Sequence, residues 1–153
     1  MTERFKRIRQ EITGVVSILG GVYITLSLAT YSEWDSSLLV FTTLPTQNYG
    51  GIVGSYIADF LVSGVGLTAF AIPVALGVYG VKRLLGREGH RVYILGFVLF
   101  VLSSSMLLSL ITATFNLALA VKGGGFAGLT LSGISQALLS PPGAYILALA
   151  LFL

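Results

Sequence analysis

Four long stretches of the chain carry almost no charge, and this excludes a water-soluble fold. Residues 12 to 30 read ITGVVSILGGVYITLSLAT, nineteen residues with no ionised side chain. At 1.5 Å per helical residue they reach about 28 Å, close to the hydrocarbon thickness of a bilayer. From Ile52 to Val81 there is a single charge, Asp59, in thirty residues. Tyr93 to Phe115 has none, and Ala137 to Leu153 has none after an early Pro141-Pro142. A chain of 153 residues that is 55% hydrophobic and 10% charged has too little interior to hide these segments from water. The expectation is an all-α, polytopic membrane protein with four transmembrane helices near 12–30, 57–81, 93–115 and 137–153. The last is cut off at its exit side. Outer loops fall at 31–51 and 116–136, an inner loop at 82–92.

The basic residues orient this arrangement. Arg4, Lys6, Arg7 and Arg9 precede the first span, and Lys82, Arg83, Arg87 and Arg91 lie between the second and third. They are eight of the nine Lys and Arg residues, Lys122 being the ninth. Short loops rich in Lys and Arg stay in the cytoplasm, which predicts both termini there. The same eight residues are expected to meet anionic lipid headgroups; nucleic acid phosphates are the weaker alternative for charges split between two membrane-hugging segments. A cleaved signal peptide ending near Ala29 is disfavoured, because the apolar run exceeds the usual length of a signal core.

Several residues inside the spans invite a role. Gly54 and Gly66 in the second run, and Gly124, Gly125 and Gly128 in the second outer loop, suit close helix packing within the chain or contacts between subunits. Pro73 predicts a kink over Ala69 to Pro73. Asp59 is the one ionisable group near membrane depth. The second run is about ten residues longer than a crossing needs, so the expectation is an interfacial turn over 52–59, with Asp59 capping it or facing headgroups or another subunit. A conduction role would ask for a second intramembrane partner. Leu129 to Leu139 is expected as a short helix on or re-entering the membrane, and Tyr31, Trp34 and Tyr49 as an aromatic belt. Glu33 and Asp35 lack the His, Cys or regular oxygen series of a metal site. His90 sits among Arg87, Glu88 and Arg91 as a solvated group. No nucleophile, base and orienting group converge, so no catalysis, cofactor or metal is expected of this chain.

The order and spacing of Glu11, Ile12 and Gly14, of Tyr31, Ser32 and Asp35, and of Asn48, Gly51, Gly54 and SYIADFL (Ser55 to Leu61) resemble the N-terminal four-helix membrane domain of the FtsK/SpoIIIE family of bacterial DNA translocases. Gly66, Ala69 and Pro73, then Gly124, Gly125, Gly128, Gly143 and Ala144, extend the resemblance over roughly Arg9 to Leu153. The family usually has prolines where this chain has Glu33 and Ser36, and often a glycine in place of Ser140. The resemblance implies a membrane anchor in the bacterial inner membrane at the division septum, with self-association and other division proteins as partners. It also implies a hexameric ATP-driven motor, absent from this chain, through which alone DNA would be engaged. A small transporter or channel subunit is the alternative, and an intramembrane enzyme a distant third.

Overall fold

The computed structural model describes residues 2–37, 40, 42–87, 91–116 and 123–153, and every regular element among them is helical. Four helical stretches are long and apolar enough to cross a bilayer, namely Arg4–Ala29, Gly51–Leu84, Tyr93–Phe115 and Gly125–Phe152. The chain divides into two compact units, one of Met1–Ala58 with Phe70–Tyr93, the other of Asp59–Ala69 with Ile94–Leu153.

In the first unit α1 (Thr2–Ala29) packs along α3 (Ala71–Leu84). The helix begins ten residues before the apolar run, so the basic tail is helical. Lys, Arg, Glu and Gln are strong helix formers, and Arg7 Nε donates to Glu11 Oε1 at 3.0 Å one turn on. The two helices run antiparallel, with Gly14 against Gly80 and Leu84, and Gly21 against Pro73. A methyl group on Gly80 would come within 2.7 Å of the Gly14 carbonyl oxygen, so the backbones touch where both helices lack a side chain. The C-terminal end of α3 closes on Gly86 at φ 71°, where the amides of Gly86 and Arg87 donate to the carbonyls of Arg83 and Lys82. This left-handed glycine stop satisfies carbonyls that the helix end leaves open.

The run from Gly51 to Leu84 is helical throughout but interrupted. Helix α2 (Gly51–Val65) gives way to a 3-10 turn over Gly66–Phe70 before α3 begins. The sequence places a kink at Ala69 to Pro73, and the break instead starts at Gly66, whose φ is 66°. Pro73 sits in the first turn of α3, where its missing N–H removes no helical bond. Glycine therefore turns the chain, and proline starts the next helix.

The second unit holds 59–65 of α2, the 3-10 turn, most of α4 (Arg91–Phe115), and α5 (Gly125–Phe152). The stretch expected as a loop over 116–136 is helical from Gly125, and the short helix expected over Leu129 to Leu139 lies within that helix. Residues 117–122, including Lys122, lie outside the described residues, as do Glu88 and His90. Nor is α5 one rod, because Ser140 breaks it with φ 62° and ψ 166°. Before the break the contacts climb together along both helices, Gly128 beside Ser105 and Ser132 beside Ser109. After it they run in opposite senses, Tyr145 with Thr114 and Phe152 with Phe100. Residues 125–139 thus run parallel to α4, and 141–152 return antiparallel to it. Ser105 lies midway along α4, so a bilayer crossed by α4 holds the start of α5 near its midplane. This is a re-entrant hairpin, and the single crossing expected at 137–153 is its returning arm.

Ser140 occupies a backbone region that is essentially reserved for glycine, at a strain of about 1–3 kcal/mol. The proline that follows disfavours a helical conformation at this position and holds it extended. Ser140→Gly is expected to stabilise the fold by about 1 kcal/mol, once the greater freedom of an unfolded glycine is subtracted from the relieved strain. A thermal midpoint in detergent no higher than that of the unaltered chain would contradict the hairpin geometry.

Candidate functional site

Three polar or tightly packed places stand out. The first joins the C-terminal end of α1 to the start of α2. Asn48 is 4% exposed, and its amide nitrogen donates to the carbonyls of Ser27 (2.7 Å) and Thr30 (3.2 Å). Its side-chain oxygen accepts from Gly50 N at 2.8 Å. Asp35, equally buried, accepts from the amides of Gln47 and Asn48, both at 2.9 Å. Tyr23 Oη donates to Gly50 O, and Ser55 Oγ to Ser36 O. Carbonyls at a helix C-terminus have no partner within the helix, and a side-chain amide here takes two of them. Gly54 packs in the same place, where a methyl group would approach Asn48 Oδ1 and Ser27 Oγ to 2.7 Å. In the sequence Asn48 stands out only as a point of resemblance, and Asp35 as that and as half of an incomplete metal site, so the clamp is not legible there. An Asn two residues before Gly50-Gly51 was the available signal, since Asn and Gly together favour a turn. Trp34 and Tyr49 extend from this loop, 80% and 76% exposed, as membrane-interface aromatics do.

The second place is where α5 begins, at the deep end of the re-entrant arm. Leu67 N, in the 3-10 turn, donates to Gly123 O at 3.0 Å, and Ser105 Oγ donates to Gly124 O. Gly125, at φ 60°, lies against Gly64 and Gly66, and Gly128 against the Ser105 carbonyl. Two interruptions of helix meet here. Non-helical backbone at membrane depth is tolerated only where protein satisfies it, and each break supplies what the other lacks. Gly66, Gly124, Gly125 and Gly128, singled out in the sequence, therefore converge on one junction inside the second unit. Ser105, Ser109, Ser132 and Ser135, all buried, complete its small-residue face. Their hydroxyls bond to helix carbonyls or, for Ser109 and Ser132, to each other at 3.1 Å.

Asp59 lies eight residues inside α2, which starts at Gly51, so the stretch over 52–59 expected at the interface is helical. Its side chain is buried and accepts from Ser63 Oγ at 3.3 Å. Pro73 faces Gly21 of α1 through its carbonyl.

The third place is the basic end of the first unit. Arg4, Lys6, Arg7 and Arg83 line one cleft, while Arg9 lines a neighbouring groove with Phe5 and Ile8. Lys82 lies 5.1 Å from the centre of the Tyr93 ring, Arg87 belongs to the turn after α3, and Arg91 opens α4.

Helices of spanning length, a re-entrant tip sealed by glycines and a basic end define a multi-pass helical membrane domain built on close backbone packing. Residues 6–153 match the family described as the 4TM region of DNA translocase FtsK/SpoIIIE. The chain belongs to that family. Curated relatives carry the name DNA translocase FtsK: one from Rickettsia typhi is 39% identical over 119 residues, covering 76% of this chain and 15% of the relative. Another from Rickettsia prowazekii is 32% identical over 129 residues (82% and 17%), and one from Caulobacter vibrioides 37% over 71 residues (46% and 8%). The chain thus spans about a sixth of the length of the first two relatives. No solved structure matches it.

Proposed function

We propose that this membrane domain anchors a DNA translocase in the bacterial inner membrane at the division septum, and there contributes contacts to other division proteins, coupling chromosome segregation to cell division. The match over residues 6–153 carries this reading. The ATP-driven motor and its grip on DNA belong to sequence that the matched relatives have beyond this stretch, with hexameric assembly as the expected state of the whole protein. Eight of nine Lys and Arg residues lie on the tail and the loop after α3, which supports an orientation with both ends in the cytoplasm. Alkaline phosphatase fused after Gln47 is expected to be active, and the same enzyme fused after Arg87 inactive. A fluorescent fusion to the domain is expected to form a ring at midcell; uniform membrane fluorescence in dividing cells would sink the septal role.

One observation favours a transport reading. Interrupted helices meeting at mid-depth are a device that transporters use to build ion and substrate sites. Here, however, Gly124, Gly128 and Ser105 close the meeting point by contact. Ion or proton flux into liposomes holding the purified protein, lost on Asp59→Asn, would favour transport over anchoring.

A further inference from the structure

We infer that the cleft between the first turns of α1 and the inner end of α3 is a discrete binding site for one anionic phospholipid, held by its phosphodiester. The cleft encloses about 700 Å³, and Arg4, Lys6, Arg7 and Arg83 line it. Their charges come together because Gly14 packs on Gly80 and Leu84, drawing the basic ends of two antiparallel helices side by side. Arg83 is preset for a phosphate. Its Nε donates to Tyr79 Oη at 3.0 Å and its guanidinium lies 5.4 Å from the centre of that ring, so the two terminal nitrogens are the ones left to meet an anion. Arginine forks match phosphate oxygens in pairs. Glu11 also lines the cleft, but it is already engaged by Arg7. That pairing weakens Arg7 as an anion ligand and leaves Arg4 and Arg83 as the principal ones.

A lipid rather than a soluble phosphate is indicated by depth and by the apolar lining. The apolar run of α1 starts at Ile12, and Arg7 lies five residues before it, about 7 Å along the axis, at headgroup height. Leu84 and Leu85 line the same cleft and are 43% and 66% exposed, offering a surface to the first methylenes of an acyl chain. The proposed orientation decides only which leaflet supplies the lipid. The site itself does not depend on the septal role, and septal localisation can fail while lipid binding holds.

The test is a titration of the purified protein in detergent with phosphatidylglycerol, phosphatidylcholine or inorganic phosphate, bound lipid being counted by native mass spectrometry. Arg4→Gln with Arg83→Gln removes two cleft charges, and Arg9→Gln with Arg87→Gln removes two outside it. The cleft pair is expected to weaken phosphatidylglycerol binding about 30-fold, at the ordinary value of a juxtamembrane arginine, and the control pair less than about threefold. Arg4→Gln alone, on an exposed turn that leaves the helix contact at Gly14 intact, is expected to weaken it about fivefold, and it serves if the pair loses its thermal midpoint. Equal losses in both pairs would overturn the discrete site in favour of diffuse surface charge. Phosphatidylcholine binding as tightly as phosphatidylglycerol, or inorganic phosphate displacing the lipid at equal concentration, would overturn the lipid assignment.

Discussion

Replacing Gly128 by alanine is expected to destabilise the domain by about 3 kcal/mol or more, at the upper end of what overpacking does. A methyl group there would collide with the main-chain carbonyl of Ser105, and a carbonyl inside a helix cannot swing aside as a side chain does. Removing the Ser105 hydroxyl in the same molecule is therefore expected not to rescue it. Gly125→Ala should be as damaging for two reasons: its φ of 60° disfavours any side chain, and the new carbon would lie 2.5 Å from Gly66 N. Gly133, in the same helix, has open space around it, and Gly133→Ala is expected to be neutral or slightly stabilising through helix propensity. Thermal midpoints of the purified variants check the comparison. If Gly128→Ala and Gly133→Ala melted together, the re-entrant tip would not sit against α4.

The second large effect is expected at the Asn48 clamp. Asn48→Ala deletes three hydrogen bonds and leaves the Ser27 carbonyl and Gly50 N–H without that partner, which at about 1–3 kcal/mol per buried orphaned group amounts to several kcal/mol. Asn48→Asp keeps the size and the acceptor, but turns an oxygen toward the two carbonyls that the amide nitrogen now serves. It is expected to be no better than alanine. Asp35→Asn is milder, since one oxygen can still accept while the new NH2 group faces an amide N–H that needs an acceptor. Hydrogen exchange at the amides of Gln47, Asn48 and Gly50 reports the clamp directly. Protection unchanged in Asn48→Ala would show that these bonds do not hold the loop.

These two sites differ in how far they could be read in advance. Small residues at Gly124, Gly125 and Gly128 announce a close approach, because a chain places glycine in an apolar segment where another backbone must come near. The partner was not legible. Serines 105, 109 and 132 look alike in a sequence with many serines, and only the parallel alignment of 125–139 with α4 shows that Ser105 meets Gly124 and Gly128. Asp35 accepts from amides twelve and thirteen residues on, and Asn48 donates to carbonyls eighteen and twenty-one residues back, distances along the chain at which no periodicity constrains the pairing. Hydropathy counts how much apolar sequence there is, and the surplus length of the second run does not reveal that its helix breaks at Gly66.

The sequence by itself determined that the chain lives in a bilayer, because long uncharged runs have no alternative solvent in so short a chain. It determined the number of apolar runs and the asymmetry of charge between their ends, since both follow from single-residue transfer energies that add along the chain. Tertiary structure alone decided that the re-entering segment packs against α4 and turns back at Ser140, and that Gly66 rather than Pro73 breaks the second run. It also decided that Arg4, Lys6, Arg7 and Arg83 share one cleft while Arg9 lines a neighbouring groove. Each of these depends on where one backbone lies against another, a matter of contact geometry that composition and spacing leave open.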